Sequence, residues 1–269
     1  MTLDGWLKTH AFLGPLARVN ARVDIAIEAA AVPPAPIPDW NDYRAVFAAG
    51  VPLLNSADAA IDLGNTAGAI VSVIGALRRG SLDGALADGL RALAAEVSHA
   101  GNDREIVEWL LGHEGWMPSQ PGTLRYVGWR VLARALAPLV VDFARWRDDE
   151  RWLRRYCPTC GSLPAMAHLV GTDPGRRRYL SCGCCGTEWR FGRTECPFCE
   201  VKSDRLASLD AEGEAGLRID YCESCRGYLK TYGGHGDEAV LLADWTSLHL
   251  DLAARDRGLQ RRAASLYDL

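Results

Sequence analysis

The sequence predicts an α+β protein: an N-terminal α-helical domain, two small metal-dependent β modules in tandem, and a C-terminal helix. Two observations carry this. All nine cysteines of the 269-residue chain lie between Cys157 and Cys225. The alanine- and leucine-rich stretch before them repeats its apolar residues at helical spacing. The composition shift marks the main boundary. The expected units are 1–152, helical; 153–194, first module; 195–242, second module; and 243–269, terminal helix and tail.

Eight of the cysteines form four C-x-x-C pairs: Cys157/Cys160, Cys182/Cys185, Cys196/Cys199 and Cys222/Cys225. Chance placement of that many cysteines would give about 0.3 such pairs. Two intervening residues let a tight turn aim both sulfurs and nearby backbone N–H groups at one ion, and a metal wanting four soft ligands needs two such turns. The gaps suggest which turns pair. Cys160 and Cys182 are separated by 21 residues, Cys199 and Cys222 by 22, and Cys185 and Cys196 by only 10. Two near-equal gaps around a short one read as a duplicated knuckle–hairpin–knuckle module, the zinc-ribbon or rubredoxin-like plan. Site one is then Cys157, Cys160, Cys182 and Cys185, and site two Cys196, Cys199, Cys222 and Cys225. An interleaved pairing of Cys182/Cys185 with Cys196/Cys199 is the alternative, and it strands the outer pairs. Disulfides and redox-active thiols compete with metal. The opening MTLDGWLKTHAFLG lacks a basic segment followed by a long apolar run, so a cytoplasmic, reducing location is expected. One C-x-x-C suits redox chemistry, whereas four paired by spacing suit metal.

Cys184, in Cys182-Gly183-Cys184-Cys185-Gly186, is the extra cysteine. The residue after the second ligand of a knuckle needs positive φ, which glycine supplies. Gly161 follows Cys160 and Gly186 follows Cys185, so Cys185 is expected as ligand and Cys184 as a spare thiol.

Along the chain, Leu16 to Ala30 reads as a first helix. Pro33, Pro34, Pro36 and Pro38 then form an extended linker. Trp40 to Ala49 is a short helix stopped by Gly50-Val51-Pro52. Leu63, Ala67, Ile70, Ile74 and Leu77 define one face of a helix, with Asp58 near its start and Arg78 and Arg79 at its end, as the macrodipole favours. Leu86, Leu90, Leu93 and Val97 mark a second such helix, and Ile106, Val107, Leu110 and Leu111 a third. A long fourth runs from about Leu124 to Trp152, kinked at Pro138. In the ribbons, Ala165–Val170 and Arg178–Ser181 are strands around a Thr172-Asp173-Pro174-Gly175 turn. Thr187–Gly192 is a third strand. Leu206–Leu209 and Leu217–Tyr221 flank a Glu212-Gly213-Glu214 turn, and Tyr228–Tyr232 follows the last knuckle. Trp245 to Gly258 is a terminal helix with Leu248, Leu252 and Leu259 on its apolar side.

Composition excludes several classes. The net charge is −4, and no run of 18 apolar residues exists to span a membrane. Arg151 to Arg205 is near +5, leaving the remainder near −9. Arg176, Arg177 and Arg178 at a hairpin tip read either as a patch for an acidic protein or nucleic acid or, preferably, as a solvated hairpin. None of His10, His99, His113, His168, His235 and His249 forms H-E-x-x-H. No phosphate loop or nucleophile elbow occurs, and Gly233-Gly234-His235-Gly236 has no lysine after it, so it reads as a flexible turn. The chain is not expected to be an enzyme.

Several motifs together resemble the FdhE family of formate dehydrogenase accessory proteins. They are Cys157-Pro158-Thr159-Cys160-Gly161-Ser162, Arg178-Tyr179-Leu180-Ser181-Cys182, Cys185-Gly186-Thr187-Glu188-Trp189-Arg190, Cys196-Pro197-Phe198-Cys199 and Cys222-Glu223-Ser224-Cys225 with Tyr228-Leu229-Lys230. Ala243-Asp244-Trp245 and Leu248-His249-Leu250-Asp251 also resemble that family's ending. The similarity is dense from Tyr156 to Gly258 and faint before it. The resemblance implies a cytoplasmic factor that acts on the catalytic subunit of respiratory formate dehydrogenase, with rubredoxin-like iron held by the eight paired cysteines. A four-cysteine site suits zinc equally. Two other readings are a nucleic-acid-binding zinc-ribbon protein, against which the bulk charge argues, and a small electron-transfer protein.

Overall fold

A computed structural model describes residues 2–267 except 81, 83, 98–102, 173, 212, 215 and 235–238. His99, Asp173, Glu212 and the His235-Gly236 pair therefore lie outside the described residues. The helices are α1 (Leu3–Thr9), α2 (Gly14–Ala29), α3 (Trp40–Ala49), α4 (Gly64–Arg79), α5 (Gly84–Val97), α6 (Asp103–Leu110), α7 (Pro121–Trp146), α8 (Asp149–Trp152), α9 (Ala239–Leu242) and α10 (Leu248–Asp256). The strands are β1 (Pro164–Val170), β2 (Arg177–Cys182), β3 (Glu188–Arg190), β4 (Leu206–Asp210), β5 (Leu217–Cys222), β6 (Gly227–Tyr232) and β7 (Gln260–Arg261). None of the described helices is long and apolar enough to cross a membrane.

The helical half forms because its apolar residues fall on one face of each helix. Ala67, Ile70, Val73, Ile74 and Leu77 of α4 are buried, as are Leu86, Leu90, Leu93 and Val97 of α5. They close around α7, whose Leu124, Val127, Val131, Leu132, Ala135, Leu136, Leu139 and Phe143 are all buried. Fully burying each such large apolar side chain is worth about 1.5–3 kcal/mol. Gly50 ends α3 at φ 83°, a conformation glycine adopts without steric cost. The proline-rich linker lies along α7, where the Ala35 N–H donates to the Ala135 carbonyl at 2.9 Å.

Four local expectations are corrected. α1 is an additional helix, N-capped by Thr2. At the start of α4 the helpful aspartate is Asp62, which accepts from the Gly64 N–H at 2.8 Å, while Asp58 lies in the preceding loop. The long helix stops at Trp146, because Asp148 turns the chain and caps the separate one-turn α8 through the Glu150 N–H. In α10 the inward residues are Leu250 and Ala254, a turn apart on one face. Leu252 lies about 200° around from Leu250 and is 60% exposed.

The ribbons build one sheet of order β3-β2-β1-β6-β5-β4, with β7 pairing the free end of β6. Each module is a three-stranded antiparallel meander. The junction between them is parallel, with Met166, Ala167 and His168 opposite Lys230, Thr231 and Tyr232. β6 is thereby buried along all six residues. The helical core is continuous with the first module through Leu180, Trp189 and the cysteines. A second core gathers Trp6 and Leu13 against Met166, Leu217, Ile219, Tyr228, Leu250 and Ala254. The amino-terminal helix thus packs beside the carboxyl-terminal one, and the Trp6 indole N–H donates to the Thr246 carbonyl.

Candidate metal centres

Each C-x-x-C forms a tight turn. The Gly161 N–H donates to the Cys157 carbonyl, Gly186 to Cys182 and Glu200 to Cys196. The residue after the second cysteine has positive φ in all four turns: Gly161 at 79°, Gly186 at 74°, Glu200 at 61° and Arg226 at 58°. Glycine marks only two of them, so the sequence signal covers half of the turns. Glu200 and Arg226 accept the steric penalty of a left-handed residue.

The turns bring the cysteines together in two groups, each with its four sulfurs within 4.8 Å of one another: Cys157, Cys160, Cys182 and Cys185, then Cys196, Cys199, Cys222 and Cys225. In the first, the shortest Sγ–Sγ separations are 3.5 Å for Cys157–Cys185 and 3.4 Å for Cys160–Cys182, and all four residues are buried. In the second they are 3.8 Å for Cys196–Cys225 and 3.7 Å for Cys199–Cys222, and Cys199 is exposed. These are non-bonded separations, since a disulfide would hold its sulfurs near 2.05 Å. Cys184 is buried beside Cys160 and stands outside the first group.

The knuckles are anchored from outside. Leu53 and Leu54 donate their N–H groups to the carbonyls of Pro158 and Thr159, both at 2.9 Å. The Tyr156 hydroxyl donates to the Gly50 carbonyl and the Trp189 indole to the Arg154 carbonyl. Buried Thr159 and Thr187 are hydrogen-bonded to each other at 2.7 Å, and the Thr187 hydroxyl lies 3.1 Å from Cys185 Sγ. In the second group the Phe198 and Gly227 N–H groups donate to Cys196 and Cys225 Sγ.

Crowding sets the thiol electrostatics. Burial, with hydrogen bonding to Cys160 and Cys185, raises Cys157 well above an ordinary thiol. Burial also acts to raise Cys185, but hydrogen bonds from Cys157, Cys160, Cys182 and Thr187 outweigh it and hold Cys185 well below. Four thiolates crowded within 4.8 Å of one another would need a compensating cation. In the second group burial pushes Cys196 up to about 12. At Cys222 burial is outweighed by the N–H groups of Cys225 and Ser224, and the thiol is lowered.

The three arginines after the first turn are not a solvated tip. Arg178 is buried, reaches the carbonyls of Gly192 and Glu195, and stacks over Phe191. Arg176 donates to the carbonyls of Leu169, Gly233 and Gly234, tying the two modules together. Of the three, Arg177 stays exposed. The charge run in the sequence carries no sign that these guanidinium groups serve as internal donors.

Fold and site together define a class: a helical domain carrying two four-cysteine ribbons fused in one sheet. Residues 156–193 match the model of the FdhE central domain. An FdhE homologue of Aquifex aeolicus is 33% identical over 129 residues, covering 46% of this chain and 46% of that protein. One of Pseudomonas aeruginosa is 40% identical over 126 residues, covering 42% of this chain and 39% of that protein. The matches thus span less than half the length of these relatives. The crystal structure of the FdhE protein from Pseudomonas aeruginosa superposes with a TM-score of 0.63 at 25% identity, covering 94% of this chain and 88% of that one. The chain is thus similar to FdhE proteins in sequence over its cysteine-rich part and in fold over most of its length.

Proposed function

We propose that the protein is a non-catalytic accessory factor for respiratory formate dehydrogenase that acts in the cytoplasm on the catalytic subunit and carries two four-cysteine metal sites. The observation that carries this is the pair of four-sulfur groups, one per ribbon, in a chain whose first ribbon matches the FdhE central domain. The donor set fits a metal: four soft sulfurs face one point, and their full ionisation needs a cation. Cys157, Cys160, Cys182 and Cys185 would hold one ion, and Cys196, Cys199, Cys222 and Cys225 the other. Iron is the assignment the family resemblance favours, with zinc as the alternative. A bound ion would supply the positive charge that holds four thiolates together. The exposure of Cys199 also favours an electron-transfer reading of the second site. The internal use of Arg176 and Arg178 weakens the nucleic-acid reading.

The test is to purify the chain anaerobically without added metal, count metals, record the visible spectrum, and capture partners from cells respiring formate. About two metals per chain and recovery of the catalytic subunit are expected. Iron would give a thiolate-to-ferric charge-transfer colour, and zinc none. Failure to recover the catalytic subunit with metal-replete protein would refute the partner assignment. A reversible one-electron wave would favour electron transfer.

Cys184 gives a sharper check on the ligand set. Cys184→Ala is expected to retain both metals and Cys185→Ser to lose one, read by elemental analysis. Equal loss in the two variants would overturn the assignment of Cys185.

A further inference from the structure

We propose a third metal site, remote from the cysteines, at which His10, His249 and Glu214 bind a divalent cation of the zinc class. The three come from distant parts of the chain: the end of α1, the start of α10 and the β4–β5 connection. Their ligating atoms lie within 4.8 Å of one another. His10 Nε2 is 3.3 Å and His249 Nε2 2.8 Å from the same carboxylate oxygen, Glu214 Oε1.

The hydrogen bonds around His10 fix what it presents. Its Nδ1 lies 3.1 Å from the Trp6 carbonyl, which can only accept. The Thr9 hydroxyl, 2.9 Å from Nδ1, gives its own proton to that same carbonyl. The proton is therefore on Nδ1, and a neutral ring would turn an Nε2 lone pair towards a carboxylate oxygen. Two lone pairs at 3.3 Å repel unless a proton or a metal cation lies between them. A backbone carbonyl holding Nδ1–H is also the outer-shell arrangement that orients metal-binding histidines. Trp6 stacks on the His10 ring at 3.7 Å and fixes its plane.

The other two groups fit the same cation. His249 points its Nε2 at the same Glu214 oxygen that His10 faces, 2.8 Å away. Among the described residues its Nδ1 is buried without a partner, so no second hydrogen bond fixes which ring nitrogen carries the proton. Glu214 Oε2 is buried without a partner among the described residues, an uncompensated acceptor where a second carboxylate ligand atom would be used. Two histidines and a glutamate are a recurrent zinc ligand set that leaves one exchangeable position. His249 also lines a cavity of about 510 Å³ bordered by Phe12, Leu248 and Leu252, from which a fourth ligand would come.

The rival arrangement is an imidazolium–carboxylate cluster with a proton in place of the metal. The test uses the full chain with its cysteine sites filled. Wild type is expected to bind one more equivalent of Zn²⁺ than Glu214→Gln or His249→Gln. Cobalt-loaded samples of all three should show the same thiolate-to-cobalt absorption, which reports the cysteine sites alone. Equal Zn²⁺ stoichiometry in folded wild type and variants would overturn the site. A second measurement needs no variant: Zn²⁺ added to wild type should shift the His10 and His249 ring resonances, and unmoved resonances would also overturn it.

Discussion

Replacing Cys157 and Cys160 together by alanine is expected to remove one metal per chain and, with it, the fold of the first ribbon. The ribbon has few apolar residues of its own, and metal-binding free energy in such modules is largely folding free energy, about 10–16 kcal/mol for structural zinc. That exceeds the entire stability of many domains, about 5–15 kcal/mol. The helical half should keep its α-helical circular dichroism, because α4, α5 and α7 bury a core among themselves. It should melt at a lower temperature, since Leu53 and Leu54 lose the Pro158 and Thr159 carbonyls as acceptors and the shared core around Trp189 is opened. In a strain lacking the factor, the variant should fail to restore formate dehydrogenase activity. Full restoration by a soluble double variant shown to lack the first metal would sink the claim that this ribbon is needed.

Lys230→Met should destabilise the second module by about 3–5 kcal/mol, the usual effect of removing one partner from a buried ion pair. Lys230 is 1% exposed in the middle of β6. Its ammonium lies 2.7 Å from both Asp244 Oδ1 and Asp251 Oδ2, and Arg261 pairs with the same two carboxylates at 2.7 and 3.1 Å. Two cations and two anions balance, and the substitution leaves one anion in excess. The network ties α10 and β7 to the sheet, so the loss should appear in urea unfolding as early release of the carboxyl-terminal segment. A change below about 0.5 kcal/mol, the range of ordinary surface substitutions, would show that the network is not stabilising. The same network sets an acid limit. Burial acts to raise the Asp244 carboxyl, but Lys230 and Arg261 outweigh it and leave it below its ordinary value. A depressed folded-state value stabilises above the unfolded value of about 3.9 and is lost as pH falls through the folded one. Wild type should therefore lose stability below about pH 4 more steeply than Lys230→Met, which the pH dependence of the urea midpoint would show.

The helices and the cysteine groups are legible in the sequence because each obeys a local period. Apolar residues at i, i+3 and i+4 place α4, α5 and α7, and the two-residue spacing within each C-x-x-C makes a knuckle whatever surrounds it. What escapes is non-local. Lys230 and Arg178 look like surface charges in any window of sequence, and only the parallel pairing of β1 with β6, between segments more than 60 residues apart, buries the first of them. His10, Glu214 and His249 escape for the same reason, as three isolated residues that only the folded chain brings together. The face of α10 is ambiguous because Leu248 and Leu252 form an apolar pair as plausible as Leu250 and Ala254, which pack inward together with Leu259 beyond the helix.

The order β3-β2-β1-β6-β5-β4 has one more consequence. The two modules are related by translation along the sheet: the first strand of one abuts the third strand of the other. Such head-to-tail stacking is not self-complementary, and here the strand order is open. It leaves two unlike rims, β3 and β4. The β3 rim is stoppered by α8, where Glu150 pairs with Arg190. At the β4 rim the sheet order ends with no further strand among the described residues. Growth by another repeat, or by a borrowed strand from a second polypeptide, therefore has a single direction open to it, and the helical domain is the stop that makes it single.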